Sequence, residues 1–426
     1  MLQSGNIHIR SNVLAKKIHH IVRRPGKNNG DPDIEIPVAE DLVTQPGNPT
    51  RDVDVSFYGR EYPLEAHFVE NSADREWLWS QYTSEFSQWR IDHEKRDGPL
   101  VAAAAVSGDI NPTVEAEPDL DYTDLIRRKA RALGFNEVGF TRYDRRYTYA
   151  SKKRWAKFPH AICLAYEQGY EGTQKIPSEE AEHVHFGTYA IEGQIALDLA
   201  AYIRTLGYHA QVHSHSDSSA PYIPMFVAAG LGQLGANGQL LMPHFGSRGR
   251  LMIITTDTPV RYDAPIDYGF NRFCETCQVC VNRCPSNALV RDKVWWRGAL
   301  KNKVNYGRCR AVMGRYDGCS ICMKVCPVQK FGMKPVMDHY VNTGTVLGKG
   351  TDDLEGFDLK DKGHFGPGQK PHFSPDFFEI PRGRFENWIF EKLKDQLADR
   401  DPNPEELRKF GDKVREALKV QRETTE

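Results

Sequence analysis

Apolar residues along the chain recur with two periods. In "YTDLIRRKARALGFNEVGF", residues 122–140, Leu125, Ile126, Ala130 and Leu133 fall on one helical face and Gly134 follows them. The spacing predicts a helix that begins near Thr123, caps at Gly134 and passes into a strand. "YAIEGQIALDLAAYIRTLGYHAQVHS", residues 189–214, repeats the pattern: Ile191, Ile195, Leu199 and Ile203 form a stripe, Gly207 stops it, and a strand runs through Tyr208 and Val212. "AICLAY" and "RLMIITTD" read as further buried strands. Helices and strands thus alternate from about residue 120 to 262, which predicts a layered α/β or α+β domain.

The flanks read differently. Residues 1–118 are polar and rich in Pro and Gly, with helical spacing only around "REWLWSQYTSEFSQW", so an extended arm with one or two helices is expected. Residues 336–426 begin a tail whose "GHFGPGQKPHFSPDFFEIPRG" has too much Gly and Pro for regular structure. Two helices are expected to close it, the last with Asn403 as N-cap, Pro404 at N1 and Leu407, Phe410, Val414 and Leu418 on one face. Between them lie residues 119–266, the layered domain, and 267–335, a cysteine-rich segment.

The 426 residues carry a formal charge of -1, with 40% hydrophobic and 27% charged residues, so no global field attracts a polyanion or a membrane surface. No nucleic-acid partner is expected. Apolar runs such as "LVAAAAV" and "LMII" fall far short of the ~18 residues that cross a bilayer. "VRRPG" at 22–26 has a twin arginine, but Pro25 and Gly26 stand where an apolar segment would begin, so a cytoplasmic location is expected.

Eight of the nine cysteines lie between 274 and 326. "CETCQVCVNRCP" is C-x2-C-x2-C-x3-C-P, the spacing that lets three thiolates reach one cubane cluster while the fourth is carried to a second. "CSICMKVCP" supplies the reciprocal set, with Cys309 upstream. On that exchange Cys274, Cys277, Cys280 and Cys326 hold one [4Fe-4S] cluster, and Cys284, Cys309, Cys319 and Cys322 hold the other. A pair of structural zincs is the alternative. Cys163, inside an apolar strand-like run, reads as a buried inert thiol.

Clusters pass electrons, so the layered domain must hold an acceptor. Its "PMFVAAGLGQLGANGQLLMPHFGSRGRLMIITTD" places glycines between a helix and a strand, where backbone can approach a large ligand. Gly230, Gly232 and Gly235 match G-x-G-x-x-G, but a helical run precedes them where a dinucleotide fingerprint needs a strand.

"AAYIRTLGYHAQ", the "AAGLGQLGANGQ" segment and the cysteine motifs in this order resemble the corrinoid-dependent reductive dehalogenases, over roughly residues 120 to 335. Epoxyqueuosine reductase belongs to the same wider superfamily. The resemblance implies a nitroreductase-like domain holding base-off cobalamin, followed by a ferredoxin-like module with two [4Fe-4S] clusters. It implies an organohalide substrate and an external donor such as ferredoxin or flavodoxin with its reductase. It assigns cofactor contacts to Gly230, Leu231, Gly232, Gly235, Asn237 and Gly246. It also implies proton donation by Tyr189, the best match to the family tyrosine, with a basic residue at Arg248 or Arg250 to stabilise the phenolate. A Lys or Asn is expected shortly before "AGLG". This chain has "VHSHSDSSAPY" there, so His213, His215 or Asp217 must substitute. Ala236 likewise stands where the family has a basic residue.

Plainer roles compete. Tyr189 could pack in the core, and Arg248 and Arg250 could pair surface carboxylates. His183 with His185, and His213 with His215, would each present both rings on one side of a strand, as a metal site or as polar lining of a pocket. The alternatives to a dehalogenase are an epoxyqueuosine-type reductase acting on a modified nucleoside and an electron carrier without substrate chemistry.

Overall fold

The computed structural model describes residues 16–51, 73–117, 120–149, 152–215, 218–296 and 298–381, with the helical positions 405, 409, 412 and 416. The closing helix expected around Asn403 otherwise lies outside the described residues.

The chain opens on an antiparallel hairpin, β1 (His19–Arg24) and β2 (Ile34–Ala39). Two helices follow, α1 (Ala73–Trp79) and α2 (Ser84–Val106). Thr83 caps α2 by accepting from the Phe86 amide at 3.2 Å. The predicted helix is α3 (Thr123–Leu133), ending at Gly134 with φ 116°. Strand β3 (Glu137–Arg142) comes next, then β4 (His160–Glu167), α4 (Glu179–Arg204) and β5 (Ala210–His213). After α5 (Ile223–Ala228), a small pair, β6 (Gln233–Leu234) and β7 (Leu240–Leu241), precedes β8 (Gly249–Thr256).

The central sheet has the order β3-β4-β8-β5 with every neighbouring pair antiparallel. Both faces are covered, which is why β4 reads as a continuous apolar run. Ile162 and Leu164 face Ile126, Leu199 and Ile203 on one side, while Ala161 and Cys163 face Met225, Phe226 and Phe245 on the other.

Helix α4 starts ten residues before Tyr189, where Ser178 caps it on the Ala181 amide at 3.1 Å. Its buried row is Glu192, Ala196, Leu199 and Ile203, whereas Ile191 is 48% exposed. The predicted stripe is therefore right from Ile195 onward and one residue off at its start, because steps of four drift around a 3.6-residue turn.

The cysteine segment forms α6 (Phe270–Cys277), α7 (Val279–Arg283), the hairpin β9 (Leu289–Trp296) with β10 (Ala299–Val304), then α8 (Tyr306–Arg315) and α9 (Ile321–Lys324). Helices α10 (Pro327–Phe331) and α11 (Met333–Thr343) and the hairpin β11 (Phe357–Leu359) with β12 (Gly363–Phe365) follow. Its core is shared: Ile36, Val38 and Leu42 from the N-terminal arm and Leu354, Phe357 and Leu359 from the tail pack with Phe273, Ile321 and Met337. Arg283, 1% exposed, ties the tail down by donating to Glu355 O at 3.0 Å, Phe365 O at 2.7 Å and Gln369 O. The arm expected to be merely extended is thus a strand pair built into the cysteine module.

Candidate active site

Positive-φ residues at Gln278 (54°), Cys319 (49°) and Ser320 (49°) bend the backbone so that short helices turn their thiols inward. Two groups result. Cys274, Cys277, Cys280 and Cys326 act on one another electrostatically, as do Cys284, Cys309, Cys319 and Cys322, with Cys322 felt across the divide by Cys280. Cys326 thus neighbours the first motif's thiols and Cys284 the second's, and Cys322 also feels Cys326.

Backbone amides point at the sulfurs: Ala288 at Cys284 (3.2 Å), Ala236 at Cys274, Val279 at Cys277, Ile321 at Cys319, and Val328 with Gln329 at Cys326. Burial pushes Cys274 up to about 12 and Cys309 to about 11, so these thiols need bound cationic charge to become thiolates. Among the described residues no group of three or more His, Cys, Asp or Glu closes on a position that could hold a metal ion. The donor chemistry nonetheless suits iron–sulfur clusters: two sets of four sulfurs, most of them served by amide donors.

Tyr189 sits half-buried on α4, facing its neighbours on all sides. Its hydroxyl is 3.0 Å from His185 Nε2. The His215 ring lies parallel to it, 4.1 Å between centroids, and the Arg250 guanidinium is 5.6 Å from its centroid. Burial raises the Tyr189 pKa and Arg250 opposes that rise, while Glu192, Glu182 and Asp97 add to it. Arg250 is held by Gln168, and His215 Nε2 is 3.0 Å from Asp97. Glu192, fully buried and without a hydrogen-bond partner for either oxygen among the described residues, is pushed up to about 8 by burial, against the pull of Arg250.

The two arginines part company here. Arg248, 5% exposed, pairs with Glu167, donates to Gln168 O at 3.1 Å and stacks on Tyr170, away from Tyr189. The histidine pairs part too. His183 and His185 lie on helix α4 rather than a strand, so they diverge: His183 packs against Trp89 and His185 turns to Tyr189. His213 is buried in β5 between Ser219 Oγ (2.5 Å) and Thr255 Oγ1 (2.9 Å), which holds it neutral with a pKa near 3 through burial. His215 lies beyond the strand end. Asp217 is outside the described residues.

The glycine-rich stretch packs closely, chiefly against protein. Gly230 (φ 68°) would bring a Cβ within 2.4 Å of Ala264 O, and Gly246 (φ 56°) within 2.6 Å of Gln329 Cα. Gly232 faces Leu241 O and Gly235 faces Asn237, while Leu231 is buried under the sheet. A cavity of about 650 Å³ opens beside this stretch, with Leu234, Gly238, Val227 and Val304 on its wall. A second space of about 600 Å³ adjoins it through Tyr147, Pro224 and Ala228.

The wall between cavity and thiols is thin, since Ala236, whose amide serves Cys274, lies between Leu234 and Gly238. Next to Gly246, the buried Gln329 amide and Ser247 hydroxyl have no partner among the described residues. The cavity wall itself sets polar Gln45, Asn48 and Asn302 among apolar Val227, Leu234 and Val304, a lining that fits a large ligand with a polar rim such as a corrinoid.

A tetrachloroethene reductive dehalogenase of Dehalobacter restrictus is 26% identical over 218 residues, 41% of this chain and 39% of that protein. One from Sulfurospirillum multivorans is 33% identical over 141 residues, 31% of this chain and 28% of that one. Over these stretches the chain is similar to reductive dehalogenases.

The aligned part spans about two fifths of the Dehalobacter relative's length. A solved reductive dehalogenase, described as suggesting a mechanism for B12-dependent dehalogenation, has the same fold, with a TM-score of 0.61 at 21% identity over 79% of this chain and 55% of that one. No protein-family model matches. At this site sequence reasoning left Asp97 and Glu192 unassigned and had His185 only as half of a strand-like pair with His183. His185 and Glu192 share a helix with Tyr189 and were findable at spacings of four and three, whereas nothing marks Asp97 until α2 is packed against α4.

Proposed function

We propose that this chain is a cobalamin-dependent reductive dehalogenase-like oxidoreductase: an organohalide, two electrons and one proton give the dehalogenated product and a halide ion. The observation that carries the reading is Tyr189 held between Arg250 and His215 beside a module with two sets of four thiols. Cys274, Cys277, Cys280 and Cys326 would hold one [4Fe-4S] cluster and Cys284, Cys309, Cys319 and Cys322 the other, relaying single electrons inward.

When bound, base-off cobalamin supplies the low-valent metal that reduces a carbon–halogen bond. The space beside Leu234 and Gly238 would receive it, with Gln45, Asn48 and Asn302 as polar groups on its wall. Tyr189 Oη gives its proton to the product carbon, and Arg250 stabilises the phenolate left behind. His215, fixed by Asp97, holds the phenol ring in place by stacking. The expected donor is a separate ferredoxin or flavodoxin with its reductase. Nine free cysteines suit a reducing cytosol. Among the described residues no helix is long and apolar enough to cross a membrane.

An epoxyqueuosine-type reductase, whose family also has members similar to this chain, and a plain electron carrier are not favoured. The test is anaerobic turnover of a brominated phenol by the cobalamin-loaded chain with a chemical reductant. Bromide release that is lost in Tyr189→Phe supports the reading. No bromide from chain that carries both cofactors contradicts it.

A further inference from the structure

The polar chain around Tyr189 continues past the residues used so far. Glu182, His185 and Tyr189 stand at spacings of three and four on α4, which brings them onto one face. Glu182 Oε1 is 3.1 Å from His185 Nδ1, and His185 Nε2 is 3.0 Å from Tyr189 Oη. On the far side, Tyr82 donates its hydroxyl to Glu182 Oε2 at 3.3 Å. Tyr82 is half-buried in the turn between α1 and α2, and the next residue, Thr83, is exposed. A continuous hydrogen-bonded line therefore runs from the half-buried Tyr82 hydroxyl, next to exposed Thr83, to the Tyr189 phenol.

A tyrosine that gives up its proton once per turnover must recover it before the next. The phenolate would be left beside Arg250, which has no proton to spare, and under His215, which presents its ring face rather than a nitrogen. His185 is the group with a nitrogen in hydrogen-bond reach, and imidazole is the side chain whose charge changes near neutrality. Its second nitrogen faces a carboxylate, so a proton leaving one side of the ring is replaceable from the other.

We propose that Tyr82, Glu182 and His185 form the line that returns a proton to Tyr189 after each turnover, an inference that rests on Tyr189 being the proton donor. The phenolate takes the proton on His185 Nε2, and the ring takes one at Nδ1 as Glu182 passes on a proton drawn from water through the Tyr82 hydroxyl. Exchange of the Nδ1 proton for one at Nε2 with water then restores the starting tautomer before the next turnover. One proton enters per product formed and no electron moves along this path. The other ionisable groups facing it are Arg250 from β8, His215 after β5, Glu192 on α4, Asp97 on α2, Arg310 and Asp317 near Tyr82, and the Cys319 thiol beside Glu182.

The experiment uses cobalamin-loaded full chain, titanium(III) citrate and 2,4,6-tribromophenol, with rapid-quench measurement of product. In His185→Phe and in the more conservative Glu182→Gln, the first product per enzyme should form at close to the normal rate, because Tyr189 starts protonated. Later turnovers should slow at least about 10-fold, the scale of a lost general acid. A second readout needs no cofactor: the ¹³Cζ resonance of Tyr189, identified by its loss in Tyr189→Phe, should titrate at higher pH in His185→Phe, since a donor to the phenolate is gone. Equal slowing of first and later turnovers would mean a structural role and overturn the proposal. Unchanged steady-state rates in both variants, with Tyr189→Phe inactive, would overturn the relay and leave the donor assignment standing. Full turnover in Tyr189→Phe would overturn both.

Discussion

The His215 imidazole lies flat on the Tyr189 phenol, 10° from parallel at 4.1 Å, while its Nε2 reaches Asp97 at 3.0 Å. Three segments distant in sequence, α2, α4 and the loop after β5, thus meet at one phenol ring. Helix α2 supplies the anchor, so a segment outside the layered domain completes the site.

Tyr189→Phe removes the proposed acid without disturbing the stack. Turnover of a halogenated substrate should fall about 10²–10⁴-fold while bound cobalamin, read from its visible spectrum, stays unchanged. Arg250→Met should act in the same direction for another reason. Arg250 holds the Tyr189 pKa down, so its loss moves ionisation to higher pH, which the Tyr189 ¹³Cζ titration reads directly.

Asp97→Asn keeps the shape of the anchor but weakens its acceptance from His215. A buried charge-assisted pair of this kind is worth about 1–3 kcal/mol, so urea unfolding should shift to lower denaturant by that amount. Turnover should drop as well, since the stack loses its anchor.

Glu192 gives stability a pH dependence. Its folded pKa of about 8 lies above the ordinary 4.5, so between those values the folded chain binds the proton that the unfolded chain has released. Stability from this group is therefore lost as pH rises from about 4.5 toward 8. Glu192→Gln cannot ionise, and its melting temperature relative to the parent chain should increase from pH 5 to about pH 8 and level off above it, measured without added cofactor.

Much of this was legible from periodicity. The α3–Gly134–β3 unit and the β4 and β8 strands follow from local spacing and caps, which the sequence displays within a dozen residues. The cysteine motifs were legible because ligand spacing is short-range. What escaped depends on contacts distant in sequence. The N-terminal hairpin, whose Ile36 and Val38 are completely buried, is read as an extended arm when its partner α11 is some 300 residues away. His183 with His185 looked like a strand pair because H-x-H carries no sign of its own secondary structure, and α4 began earlier than its apolar stripe. Arg248 and Arg250 cannot be told apart by spacing alone. Arg250 lies on β8 opposite Tyr166, whereas Arg248 precedes the strand and pairs with Glu167.

Cys163 offers a control. It is buried in β4, burial holds its thiol far above the usual range, and it is remote from the two thiol groups in sequence. Cys163→Ser should cost about 1–3 kcal/mol by burying an unpaired hydroxyl, with iron content unchanged. Cys319→Ser should instead remove about half of the iron.

The most direct measurement is metal and corrinoid content of oxygen-free full chain after reconstitution, read by elemental analysis together with electron paramagnetic resonance. Roughly eight irons per chain, with spin signals from two interacting [4Fe-4S] clusters and from base-off cobalt(II), is the predicted result. A colourless zinc protein, or an eight-iron protein that takes up no cobalamin, would contradict it.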